Sequence, residues 1–170
     1  MAIPERLRWA VETLDVRPDD RVLELGCGTG VAAELVCDAL TTGTITAVDR
    51  SAKAIAQAER RNAANITAGR ATFQVQSLED LPPGGEPYDK IFAVNVNLFW
   101  TKDPAAELTL LKTLLAPTGT LHLFYEPPSQ EKAESLSRTV TENLKHNAFT
   151  VELTTARTPK STLLSLKATV

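Results

Sequence analysis

The sequence is short of the features that mark several protein classes. Aromatic residues make up 5% of its 170 positions, too few for the stacking platforms of single-strand binders or for a carbohydrate-binding surface. Basic residues are not in excess: 18 Lys and Arg stand against 21 Asp and Glu, a net charge of -3. That balance excludes a broad electrostatic footprint for nucleic acid or an anionic membrane surface. No apolar run approaches the roughly 18 residues of a membrane span, and Met1-Ala2-Ile3-Pro4-Glu5-Arg6 holds no signal-peptide core. Only two cysteines occur, Cys27 and Cys37, in neither a CxxC spacing nor a paired framework. Their scarcity points to a reducing cytoplasm and excludes a disulfide-stapled miniprotein or a structural zinc module. No Asp/Glu/His group has metal-ligand spacing, and no nucleophile–His–acid set is visible. His122 falls inside a strand pattern and His146 near the end of a polar helix, where core and surface roles account for them.

What is present is ordinary globular material: 43% hydrophobic and 23% charged residues, in a length that suits one domain of about 150 residues. Apolar residues from Leu7 to Leu14 at helical spacing, after Pro4, predict a first helix, with 1–16 as an N-terminal element. Arg21 to Leu25 reads as a buried parallel strand that stops at Gly26-Cys27-Gly28-Thr29-Gly30, and a helix runs from Val31 towards Gly43. The alternation continues with a strand at Thr44–Val48 ending at Asp49, a helix capped by Ser51 and running to about Ala64, and a strand at Ala71–Val75. Leu81-Pro82-Pro83-Gly84-Gly85 breaks regular structure. A fourth strand at Tyr88–Val96, a helix opened by Asp103-Pro104 and closed by Pro117-Thr118-Gly119, and a fifth strand at Thr120–Tyr125 follow. Beyond the 21–128 core, residues 129–170 predict a helix to His146 and two strands, Phe149–Thr155 and Leu163–Val170. Their short connection makes that pair antiparallel. Five βα units closed by a hairpin make an α/β, doubly wound, mostly parallel sheet with helices on both faces.

Ligands of such sheets bind beyond the carboxyl ends of the strands. The loop after the first strand lies there, and its three glycines in five residues let backbone approach a ligand ahead of a helix N-terminus. Gly28-x-Gly30-x-x-Ala33, with Asp49 21 residues after Gly28, also fits the dinucleotide fingerprint. A nicotinamide-dependent oxidoreductase is therefore admissible on spacing. Against it stand Glu24, which suits a cationic ligand better than a pyrophosphate, and the expectation that no second domain follows to hold a hydride partner.

Val22-Leu23-Glu24-Leu25-Gly26-Cys27-Gly28-Thr29-Gly30 closely resembles the first motif of class I S-adenosylmethionine-dependent methyltransferases. The resemblance continues through Ala47-Val48-Asp49-Arg50-Ser51, Leu78-Glu79-Asp80-Leu81-Pro82, Tyr88 to Asn95, and Leu115-Ala116-Pro117-Thr118-Gly119-Thr120. It covers nearly the whole chain. It implies a seven-stranded sheet of order 3-2-1-4-5-7-6, the seventh strand antiparallel between the fifth and sixth. It also implies S-adenosylmethionine as cofactor and S-adenosylhomocysteine as product. By the same resemblance, Gly26, Cys27, Gly28 and Gly30 pass under the methionine part, with Glu24 orienting the loop or meeting the ammonium. Asp49 would accept from both ribose hydroxyls, with Arg50 near the adenine. Ser77 and Leu78 take the adenine-edge position, where many members carry Asp in place of Ser77, and the Asn95 carbonyl takes the ammonium position.

Methyl transfer from a sulfonium is an in-line displacement that needs placement more than a strong electrophile or base. Acceptor-side candidates come from the same sheet edge: Asn95 and Trp100 in the Asn95–Trp100 segment and Glu126 at the end of the fifth strand. Arg6 and Trp9 on the first helix could close over the cofactor. The fourth strand is followed by Asn95-Val96-Asn97-Leu98 and not by the Asn/Asp-Pro-Pro-aromatic run of adenine-modifying enzymes. The expected function is methyl transfer to a small-molecule acceptor, with no nucleic acid, membrane or metal partner. A non-catalytic cofactor-binding partner module is the other reading. The chain leaves its oligomeric state open, and dimerisation is one way to complete an open acceptor side.

Overall fold

Consecutive buried side chains of the central strands point to opposite faces of the sheet and so divide the molecule into two cores. In β1 (Arg21–Leu25), Val22 faces one side and Leu23 and Leu25 the other; in β4 (Tyr88–Val94), Phe92 joins the first side and Ile91 and Ala93 the second. This alternation is the period-2 consequence of strand pleating. The computed structural model describes residues 2–170. β2 (Thr44–Asp49) and β3 (Ala71–Val75) pair in parallel with their neighbours, β5 (Leu115–Tyr125) pairs in parallel with β4, and β7 (Thr162–Thr169) runs antiparallel between β5 and β6 (Thr150–Arg157). The order is β3-β2-β1-β4-β5-β7-β6, as expected.

One core holds Ala10 and Leu14 of α1 (Glu5–Leu14), Ala33 and Val36 of α2 (Val31–Ala39), and Ile55 and Ala58 of α3 (Ala52–Arg61). The other holds Phe99 of α5 (Leu98–Thr101), Leu108 and Leu111 of α6 (Ala105–Leu114), and Leu136 and Val140 of α7 (Gln130–His146). Among the described residues, no helix is long and apolar enough to cross a membrane.

Four local expectations are corrected. The helix expected to run from Ser51 to about Ala64 is interrupted at Asn62, and Ala63–Thr67 forms a separate short helix, α4. β4 ends at Val94 and not at Val96, because Asn95 adopts a left-handed φ of 55°. α6 stops at Leu114, and the strand begins at once, five residues before Thr120; Leu115 pairs with Tyr88 across a register shift, and its side chain is buried. The helical cover is also asymmetric. Residues 76–87, with Pro82, Pro83, Gly84 and Gly85, contain no helix, so Thr44, Thr46, Thr72 and Gln74 line an open groove on the face opposite α2 and α3. Small polar side chains at these positions suit a sheet face left to water.

Candidate functional site

The glycine loop is bent by left-handed backbone that side chains seldom adopt. Gly30 has φ 80° and caps α2; a Cβ there would lie 2.8 Å from both Ala58 Cβ and Asn62 Nδ2, so glycine is what lets α2 and α3 approach. Gly28, at φ 54°, differs: a Cβ there would meet nothing within 4 Å, so its surroundings are open space. The Cys27 N–H donates to Val48 O (3.0 Å), and the Gly28 N–H donates to Asp49 Oδ2 (2.9 Å), tying the loop to β2. The Cys27 thiol is buried, and burial, then the charges of Glu24 and Asp49, push it well above the usual thiol range. It is no nucleophile.

Asp49 also accepts from the Ser51 N–H at its other oxygen (2.9 Å). Each carboxylate oxygen thus has one backbone donor and keeps a lone pair free. Glu24 is the anomaly of the core. It is 3% exposed, flanked in register by Ala47 and Phe92, and its Oε2 is buried without a partner. Burial first, and the Asp49 charge second, raise its pKa from 4.5 to about 8. A buried, unpaired acid costs free energy, which a cationic ligand would offset.

Two cavities flank the loop and share Gly26 and Asn95. One of about 490 Å³ is lined by Asp49, Arg50, Gln76, Ser77 and Leu78, and beyond them by Asn97 and Lys102. The other, about 270 Å³, contains Arg6, Glu24, Cys27, Gly28 and Thr29. Nine of the ten residues expected at the cofactor line one cavity or the other; Gly30 lines neither and packs against Ala58 and Asn62. Ser77 spends its hydroxyl on Asp80 Oδ2 (2.7 Å), and Leu78 packs into the core.

The three acceptor-side candidates separate. Asn95 joins β4 to β5: its N–H donates to Phe124 O (2.8 Å), and its Oδ1 accepts from the Glu126 N–H (2.9 Å). Glu126 accepts at Oε2 from Arg6 Nη1 (3.3 Å) and at Oε1 from Ser161 Oγ (2.7 Å). Trp100 lines neither cavity; it packs on the core with Lys132 Nζ 4.1 Å from its ring centroid. Trp9 likewise packs, edge-to-face on Phe124 with centroids 5.9 Å apart.

Residues 22–119, more than half of the chain, match the methyltransferase domain family. The chain belongs to the class I S-adenosylmethionine-dependent methyltransferases. Curated relatives include a ubiquinone/menaquinone biosynthesis C-methyltransferase from Geotalea daltonii, 33% identical over 49% of this chain and 36% of the relative. A trans-aconitate 2-methyltransferase from Acidovorax ebreus is 29% identical over 96% of this chain and 60% of the relative. The chain spans a quarter to about half the length of the first curated relatives it matches. Among solved structures, a methyltransferase from Aquifex aeolicus superposes with a TM-score of 0.77 at 15% identity, covering 95% of this chain and 88% of that one. The chain therefore has its family's fold, and family membership favours S-adenosylmethionine over a nicotinamide cofactor.

The residues present fit the family's cofactor. S-adenosylmethionine brings an ammonium and a ribose diol; the buried Glu24 carboxyl without a partner suits the first, and the free lone pairs of Asp49 suit the second. Sequence reasoning missed Asn62. It is 1% exposed, and its Nδ2 donates to both Gly30 O and Ala58 O at 3.0 Å, fastening the glycine loop to α3. The signal was available: Asn62 extends the buried Ile55–Ala58 stripe at helical spacing, and a polar residue on such a stripe must have a partner. Tyr125, whose buried hydroxyl donates to Val96 O (3.1 Å) and is shifted upwards by burial, was also missed.

Proposed function

We propose that this methyltransferase transfers the methyl group of S-adenosylmethionine to a small-molecule acceptor. The observation that carries this reading is the pair of cavities on either side of one glycine loop, each with a carboxyl group, Glu24 and Asp49, able to accept hydrogen bonds. When bound, the cofactor supplies an electrophilic methyl on a sulfonium. The chain supplies placement. Asp49 accepts from the ribose hydroxyls, with Arg50, Ser77 and Leu78 around the adenine. Glu24 and the Asn95 carbonyl face the ammonium, and Gly26, Cys27, Gly28 and Gly30 provide the backbone floor.

Holding the acceptor atom and methyl carbon in line at about 3–3.5 Å is the main source of acceleration. Asn95 lines both cavities, and Glu126, which lines neither, is tied to it by its N–H on Asn95 Oδ1 and is the neighbouring candidate for orienting an acceptor. The Glu126 carboxylate already accepts from Arg6 and Ser161, which fixes it for orienting an acceptor. The relatives named for trans-aconitate and for ubiquinone or menaquinone biosynthesis support a small acceptor. The free thiols Cys27 and Cys37 support a reducing, cytoplasmic setting.

Isothermal titration with S-adenosylhomocysteine is expected to show one-to-one binding. Asp49→Ala should lower that affinity about 100-fold, the scale of two hydrogen bonds to a charged acceptor. Failure to bind at millimolar ligand refutes the reading. Tight binding without turnover over a panel of small acids and quinols favours a non-catalytic cofactor-binding module.

A further inference from the structure

The edge strand β6 lacks the usual guards. It pairs with β7 along its whole length, in a register without slips, and among the described residues no strand lies on its other side. Natural sheets keep such edges from pairing further with proline, lysine, a bulge or a short strand. β6 is eight residues long, holds no proline or lysine, and leaves Leu153 47% exposed. The opposite edge, β3, has only five residues.

Beside this edge runs a groove of about 490 Å³ between Leu153 and the outer flank of α7, from Glu134 to Lys145. The charges along that flank alternate: Glu134, Arg138, Glu142, Lys145. Glu and Arg four residues apart on a helix are ordinary ion-pair partners. Among the described residues, however, the ion pairs lie elsewhere, and none of these four takes part in one. Read in reverse, the series has the opposite sign at every place. An antiparallel copy of α7 would set Glu134 against Lys145 and Arg138 against Glu142, whereas a parallel copy would set like against like. Ser137 and Thr141, in the middle of the flank, are small enough for two helices to approach closely.

We propose that the occupant of this edge is a second copy of the chain: two β6 strands pair antiparallel about a dyad perpendicular to the sheet, and the two α7 helices pack side by side on one face. Such an interface is isologous and closes as a dimer. The dyad makes the helices antiparallel, the orientation their charges require. Spacing agrees. α7 lies over both β6 and β7, and strands stand about 4.8 Å apart, so a helix midway between the two sits about 5 Å from the dyad. The two helices are then about 10 Å apart, the separation at which helices pack. Residues opposite one another in a ladder share a face, and the dyad preserves that face. A register centred on the groove therefore sets Leu153 opposite the partner's Leu153 and Val151 opposite the partner's Thr155, burying the exposed leucine beneath both helices. None of these residues lines either cavity at the glycine loop, so the dimer and the cofactor site are tested separately.

Sedimentation velocity of the full chain, from low to high micromolar concentration, is expected to show a monomer–dimer equilibrium. Leu153→Lys should leave only monomer, because a charge on the edge blocks strand addition. Arg138→Glu brings like charges together twice, once on each side of the dyad, and should raise the dimer dissociation constant about 10-fold or more. Adding Glu142→Arg to it restores opposite signs and should recover most of that loss. Circular dichroism matching wild type reports that each variant is folded. Wild-type protein that stays monomeric at every concentration overturns the proposal and leaves the edge to a different protein or to solvent. A dimer that both single substitutions leave intact also overturns it, because the interface then lies elsewhere. A double variant no tighter than Arg138→Glu alone overturns the antiparallel pairing of α7.

Discussion

Replacing Glu24 by Gln should stabilise the protein at alkaline pH and weaken its hold on the cofactor. The glutamate is 3% exposed, and burial, with a smaller contribution from Asp49, raises its pKa from 4.5 to about 8. Between those values the folded protein keeps a proton that the unfolded chain releases. The unfolded state then binds fewer protons, so stability falls as pH rises from 4.5 and levels off above 8. At 1.36 kcal/mol per pH unit, the whole loss is on the order of 5 kcal/mol. Gln keeps the shape without the titration. For a chain of this size each kcal/mol moves Tm by about 2–4 °C, so Glu24→Gln should melt roughly 10 °C above wild type at pH 8.5 and close to it at pH 5. Thermal melts at pH 5, 7 and 8.5 measure this directly. A ligand ammonium beside Glu24 favours its charged form, so wild-type affinity for S-adenosylhomocysteine should rise with pH up to about 8, and the Gln variant should bind more weakly without that rise. Melting curves that shift in parallel with pH for the two proteins would refute the reasoning, because Glu24 would then not be titrating differently on folding.

Three further substitutions separate scaffold from site. Gly30→Ala places a Cβ 2.8 Å from Ala58 Cβ and Asn62 Nδ2 at a left-handed φ and should cost about 3 kcal/mol of unfolding free energy in denaturant melts. Gly28→Ala meets open space; it should cost only about 1 kcal/mol yet lower S-adenosylhomocysteine affinity, because the methyl enters the cavity. Asn62→Ala removes both donors of its side-chain amide and should destabilise by about 2 kcal/mol. It should also lower cofactor affinity through the released Gly30 carbonyl, and the same melts and titrations test it.

Strand edges were most legible where local chemistry sets them. Arg21–Leu25 and Ala71–Val75 have the expected bounds, because a short apolar run between turn residues has few alternatives. Bounds failed where tertiary contact decides. β5 begins at Leu115, since Tyr88 across the sheet supplies a partner that Pro117-Thr118-Gly119 alone would not suggest. The helix after β2 breaks at Asn62, whose amide is drawn to Gly30 O, 32 residues earlier. Trp100, read as a mouth residue from its place after β4, packs instead against the core under Lys132.

By itself the sequence determined the α/β class, the strand order through the family motifs, and the loop and acids around which a cofactor is expected to sit, because these depend on residues within about 20 positions of one another. Only the tertiary structure decided what surrounds that loop. Glu24 is buried and its Oε2 has no partner because β2 and β4 flank it in register with the apolar Ala47 and Phe92, which no reading of neighbours in sequence reveals. Arg6 reaches the same cavity because α1 packs against β5, and Glu126 meets Arg6 because both lie on that edge. Local pattern specifies elements; long-range packing sets which charges face one another, and that pairing is the chemistry of the site.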